Sequence, residues 1–119
     1  MTEGTSFISG IENRSKVKIT VERMLSTFDI FGDNREETII NGLPTKCHKF
    51  KKGQEFIVEK DLEKPKDFCS WAWNDIQRDV VVLCFGGHYP WIKEELSVTY
   101  SCCTDGLRPV VFRLEKIES

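Results

Sequence analysis

Five cysteines, at positions 47, 69, 84, 102 and 103 of a 119-residue chain, carry most of the chemistry this sequence offers. An odd number, with no basic-then-apolar export segment at the N-terminus, argues against a closed disulfide framework and makes reduced thiols the default. There is no CxxC or paired zinc-ribbon spacing, so a metal site would have to be assembled across the fold. Three cysteines stand where expected elements begin or end. Cys47 adjoins His48 ahead of a strand, Cys69 falls in the first turn of a helix, and Cys103 ends a strand just before Thr104-Asp105-Gly106. The unsatisfied amides of a helix N-terminus favour the thiolate of Cys69, readying it as a metal ligand, a nucleophile or a redox thiol. Plain packing is the competing reading for each, because free cysteine is among the most buried residue types. Cys84 closes an apolar helical stripe, and Cys102 shares a strand face with Val98 and Tyr100; both are expected to point into the core.

The histidines and aromatics give a second set of candidates. His48 could serve as a ligand beside Cys47, although neighbours in an extended chain project to opposite faces, which favours a surface position. His88 lies in the glycine-aromatic-proline run Gly86-Gly87-His88-Tyr89-Pro90-Trp91, where it could act as an acid-base group or simply cap the turn. Trp71, Trp73, Tyr89 and Trp91 could line a cofactor or ligand pocket, and aromatic rings at such spacing are also common core material. Gly86-Gly87 is too short, and lacks the following Lys, for a phosphate-binding loop. Ser/His/Asp and HExxH signatures are absent.

The elements that must position these residues follow from periodicity. Met1 to Ser15 reads as a flexible leader. Val17, Ile19 and Val21 alternate with Lys18, Thr20 and Glu22, the pattern of a strand with one buried face. Ser26 to Lys46, with turn residues at Gly32-Asp33-Asn34 and Asn41-Gly42-Leu43-Pro44, reads as a long ordered loop. Lys52-Gly53 turns into a second strand, Glu55 to Glu59. Cys69, Ala72, Trp73, Ile76, Val80, Leu83 and Cys84 recur at intervals of three and four, predicting a helix with Asp67 as N-cap and Gly86-Gly87 as its stop. The β-branched run Val80 to Val82 is its weak point. Val98 to Cys103 and Val110 to Glu115 alternate on either side of Thr104-Asp105-Gly106-Leu107-Arg108-Pro109, predicting a hairpin.

Several of these segments together resemble a family of small uncharacterised bacterial and archaeal proteins, often classed as an uncharacterised repeat protein family. The resemblance rests on Cys47, the run FKKGQEF from Phe50 to Phe56, SWAW after Cys69 with Ile76, FGGHYPW from Phe85 to Trp91, and CCTDGLRPVVFRLE from Cys102 to Glu115. It spans roughly residues 17 to 117. It implies no known reaction, but it does imply three separated cysteines, here Cys47, Cys69 and Cys103, the last followed by x-Asp. Relatives usually carry Pro where this chain has Thr104, which bears on the geometry of that turn.

Composition bounds the rest. At this length, with 39% hydrophobic residues, eight Phe and three Trp, residues 16 to 119 should form one globular domain. A net charge of -2 without a Lys/Arg cluster weighs against nucleic acid, and the longest apolar run, Val80 to Phe85, is far below the roughly 18 residues a bilayer span needs. The expected architecture is α+β: a small, mostly antiparallel sheet of about four strands with one main helix packed on it. The leading functional reading is a cytoplasmic protein that binds zinc or an iron-sulfur cluster through clustered thiolates of Cys47, Cys69 and Cys103. A second is a metal-free small-molecule enzyme or binder using Cys69, His88 and the aromatic glycine loop. A third is an accessory subunit with structural cysteines, in which a protein partner or a second copy of the chain takes part.

Overall fold

A computed structural model describes residues 14–32, 44–93 and 97–117. The expected leader, apart from Arg14 and Ser15, and the turn residues at 33, 34 and 41–43 lie outside the described residues. The architecture is the expected α+β one. Strands β1 (Lys16–Met24), β2 (Glu55–Val58), β3 (Val98–Cys102) and β4 (Val110–Ile117) form one sheet in the order β2-β1-β4-β3, every pair antiparallel. Among the described residues two helices accompany it: a short α1 (Thr27–Phe31) and the main α2 (Ser70–Cys84).

Alternation along the strands decides which face the helix covers. Val17, Ile19 and Val21 of β1 stand in register beside Val58 and Phe56 on one side and Leu114 and Phe112 on the other, all buried. Ala72, Trp73, Ile76, Val80 and Leu83 supply the matching stripe of α2. Along β1, β2 and β4 the opposite sheet face is wet and charged, with Lys18 bridging Glu55 at 3.8 Å and Glu115 at 3.6 Å. Such exposed pairs contribute little stability, about 0–1 kcal/mol each, so it is the apolar face that holds the fold together.

Four phenylalanines set the positions of two cysteine-bearing segments. Phe50, Phe56, Phe68 and Phe112 pack edge-on or tilted with ring centroids 4.9–5.9 Å apart. Phe50 lies three residues after Cys47 and Phe68 immediately before Cys69, so ring packing at the centre of the core draws both thiols to one end of α2.

Three local expectations need correction. The helix N-cap is Cys69, not Asp67; Asp67 instead takes φ +67° in the turn that leads to Phe68. The stretch after Ser26 is not loop throughout. Ser26 caps α1 through a reciprocal box, its hydroxyl accepting from Asp29 N–H at 3.1 Å and its own N–H donating to the Asp29 carboxylate at 2.8 Å. Hydrogen bonding of the carboxylate to the Ser26 backbone N–H first, and to the Ser26 side chain second, also holds the Asp29 carboxyl below its ordinary pKa. Finally, Cys102 is exposed. It pairs with Val111, as Tyr100 pairs with Arg113, which places its side chain on the sheet face away from the helix. The period-2 pattern was right, but the face that the helix covers is that of Thr99 and Ser101, while the more apolar Val98, Tyr100 and Cys102 share the other one, so composition pointed to the wrong face.

Candidate functional site

Cys47, Cys69 and Cys103 line one cavity of about 170 Å³ at the N-terminal end of α2, together with His48, Trp71 and Arg108. Each thiol is half-buried and packs against the core. They arrive from three directions. Cys47 comes from the segment ahead of β2, Cys69 from the helix cap, and Cys103 from the exit of β3.

Backbone amides surround two of the sulfurs. Lys49 N–H donates to Cys47 Sγ at 3.4 Å, and Val110 N–H donates to Cys103 Sγ at 3.3 Å. The Asp105 amide also reaches the Cys103 sulfur. Burial pushes the Cys103 thiol above its ordinary pKa; the two amides pull the other way, and the nearby Asp105 and Cys47 add to the rise. Cys69 uses its backbone to open the helix, its carbonyl accepting from Trp73 N–H, while its side chain makes no cap hydrogen bond. Among the described residues no three His, Cys, Asp or Glu side chains are gathered as the ligands of an ion. The three thiols border a space; they do not form a finished coordination sphere.

The first turns of α2 are tied to the Cys103 loop by a network that periodicity did not reveal. Asp75 accepts from Thr104 N–H at 2.7 Å and from the Thr104 hydroxyl at 3.0–3.1 Å, and the Trp71 indole N–H donates to that same hydroxyl oxygen at 2.8 Å. Trp71 is therefore pinned although 64% exposed. A proline at position 104 could supply neither the amide nor the hydroxyl proton. Asp105 turns the loop by accepting from Leu107 and Arg108 N–H at 2.9 and 3.2 Å. Arg108 faces that carboxylate at 3.6 Å and donates to the Pro44 carbonyl at 3.3 Å, linking this loop to the Cys47 segment. In the sequence, the only hint of this brace was the Asp at the sixth position after Cys69.

The other candidates lie elsewhere. Helix α2 runs without a break through Val80 to Val82, so Cys69 and His88 sit at opposite ends of about 22 Å of helix. They cannot form one catalytic pair. Tyr89 and Trp91 belong to the far end as well, their rings 5.2 Å apart, which separates them from Trp71. The Tyr89 hydroxyl donates to the buried Asp79 at 2.6 Å, and His88 is exposed. Cys84 is buried in the core and burial raises its pKa. His48 does line the cysteine cavity, because the chain bends at 48–49 and does not run extended.

Comparison with known protein families, with curated proteins and with solved structures finds no match to this chain. No helix among the described residues is long and apolar enough to cross a membrane.

Proposed function

We propose that this chain is a small metal-binding protein whose ion is held by the thiolates of Cys47, Cys69 and Cys103. The observation that carries the reading is their convergence: three cysteines separated by 22 and 34 residues in sequence border a single small cavity. Two features support the reading. Amide N–H groups donate to the sulfurs of Cys47 and Cys103, as amides commonly do to metal-bound sulfur, and Cys69 caps a fifteen-residue helix with its side chain left uncommitted to the cap. A cation arriving in the cavity offsets the mutual repulsion of three thiolates, so loading and rotation of the cysteine χ1 angles toward it go together. Iron-sulfur clusters commonly take four cysteine ligands, and Cys102 faces away, so three thiolates suit a tetrahedral ion of the zinc class better. The cellular setting that fits is a reducing one, the cytoplasm.

Elemental analysis and a visible spectrum of the full chain purified without oxygen test the reading. The expected result is about one zinc per chain, with no charge-transfer absorption from iron. Serine in place of Cys47, Cys69 or Cys103 should each remove most of the metal, while Cys84→Ser and Cys102→Ser keep it. Metal-free protein that takes up no zinc on addition overturns the reading, as does equal retention across all five variants.

A further inference from the structure

Two of the three cavity thiols share more than a lining. The segments that carry Cys47 and Cys103 are laced together at two places. Thr27, fully buried at the start of α1, donates its N–H to the Thr45 carbonyl at 2.9 Å and its hydroxyl to the Leu107 carbonyl at 3.0 Å. Arg108 makes the second tie, donating to the Pro44 carbonyl at 3.3 Å while facing Asp105 at 3.6 Å. Beside these ties each sulfur accepts from a backbone amide, Cys47 Sγ from Lys49 and Cys103 Sγ from Val110. Cys47 is also near enough for its charge to be felt at Cys103.

Cys69 differs from both. Its backbone belongs to the helix, since it caps α2 and its carbonyl accepts from Trp73 N–H at 2.9 Å. Residues 44–50 lie in neither helix nor strand, and Cys103 stands just past the end of β3. A disulfide demands a sulfur–sulfur bond of about 2.0 Å and a dihedral near 90°, and irregular backbone adjusts to that demand more readily than a helical turn. Cys84 is buried in the core and Cys102 faces away, so neither competes for the same partner.

We propose that Cys47 and Cys103 are a site of thiol oxidation, at which an oxidant of the peroxide class joins their sulfurs in a disulfide within the cavity. One thiol loses its proton, and its sulfur attacks a peroxide oxygen. The O–O bond breaks, a sulfenic acid forms, and the departing hydroxide takes up that proton to become water. The second sulfur then attacks the sulfenic sulfur. An S–S bond replaces the S–O bond, and the oxygen leaves as a second water with the second thiol's proton. Overall two thiols give up two electrons and two protons, and one peroxide becomes two waters. The pairing needs no ion; on the metal reading, it and ion uptake are alternative uses of the same sulfurs.

Hydrogen peroxide is the probe. Full-length protein, reduced and held in excess EDTA, is treated with a slight molar excess of peroxide and weighed intact. Its mass should fall by about 2 Da without dimer formation, and dithiothreitol should restore it. Peptide mapping without reduction, run on Cys102→Ser so that the Cys103 peptide carries a single thiol, should find Cys47 linked to Cys103. Cys69→Ser should oxidise as fast as the unaltered chain, whereas Cys47→Ser and Cys103→Ser should lose the two hydrogens at least about tenfold more slowly. The map is made on a chain that keeps all three cavity thiols, so it decides the question even where a serine variant fails to fold. A link that runs to Cys69 overturns the pair, as do equal rates across the three variants, or sulfinic acid on single cysteines in place of a link. Zinc uptake by the reduced chain is measured separately, so the pair can fail while the metal reading stands, and the reverse.

Discussion

The two ends of helix α2 are built from similar materials and do different things. At the C-terminal end, the Gly86 and Gly87 amides donate to the Leu83 and Val82 carbonyls, Gly86 takes φ +85°, and the Tyr89 hydroxyl returns to Asp79 within the same turn and loop. Those bonds run between neighbours close in sequence and surround no cavity; the one distant tie there is the Cys84 carbonyl, which accepts from Ser15 N–H at 2.9 Å, and the result is a closed stop. At the N-terminal end, Asp75 and Trp71 reach residues about 30 positions away, and three thiols face open space. Aromatic residues, an aspartate and a hydroxyl occur at both ends. Whether they make a site depends on whether they join distant segments around a space or close on themselves.

The largest expected stability effect belongs to the closed end. Tyr89→Phe leaves the Asp79 carboxylate, whose side chain is only 12% exposed, without its phenol donor, and should cost about 2–3 kcal/mol in chemical unfolding. Burial, with the Asp79 hydrogen bond and charge, raises the Tyr89 pKa to about 12. The folded state therefore holds the proton more tightly than the unfolded chain, whose phenol titrates near 10. This contribution is complete below pH 10 and is lost as pH rises toward 12. The stability gap between the unaltered chain and Tyr89→Phe should narrow over that interval. A gap that stays constant would mean that the phenol contributes through packing alone.

Gly87→Ala should cost somewhat less, about 1–2 kcal/mol by thermal or chemical unfolding. An added Cβ would lie 2.8 Å from Val82 Cγ1 and 3.0 Å from the Val82 carbonyl oxygen, so the loop must move off the helix. On the proposed metal reading, zinc uptake at the cysteine end, about 22 Å away along the helix, should be unchanged. If Gly87→Ala also reduces it, the two ends are mechanically coupled and the contrast between them fails.

How much of each end could be read in the sequence follows from the range of its interactions. The strands, the α2 stripe and its glycine stop came from periods of two and 3.6 residues and from turn chemistry, all local signals. The short α1 was legible in principle, since Ser26 and Asp29 have capping-box spacing, but its five residues have no apolar periodicity to announce it. Cys69 was placed at the start of the helix, two residues from the cap assigned to Asp67. The face of Cys102 was misread because both faces of β3 carry residues that pack, Val98 and Thr99 both being buried. The Asp75, Thr104 and Trp71 brace, and the four-ring cluster that gathers Cys47 with Cys69, join residues far apart in sequence. A single chain's pattern has no term for such pairings, and the cysteines were visible only as residue types at element edges.

The smallest stability effect should come from the open end, where the groups holding the site are exposed. Asp75→Asn keeps the size of the side chain but replaces one carboxylate oxygen by a donor, so one of the two Thr104 groups that Asp75 now accepts from loses its partner. Water can take over at an exposed position, and unfolding of the metal-free chain should change by no more than about 0.5 kcal/mol. Metal affinity should respond differently. The brace fixes the loop next to Cys103 against the helix that begins at Cys69, and loosening an outer partner of this kind typically lowers affinity about 10–100-fold. Zinc competition measured on Asp75→Asn, with Asp75→Glu as the variant that keeps the charge and Tyr89→Phe as the far-end control, separates the two roles. Weaker zinc binding in Asp75→Asn, partly restored in Asp75→Glu and absent in Tyr89→Phe, is the expected order. Equal losses at both ends would show that the helix transmits stability to the thiols as a whole, and that Asp75 positions nothing in particular.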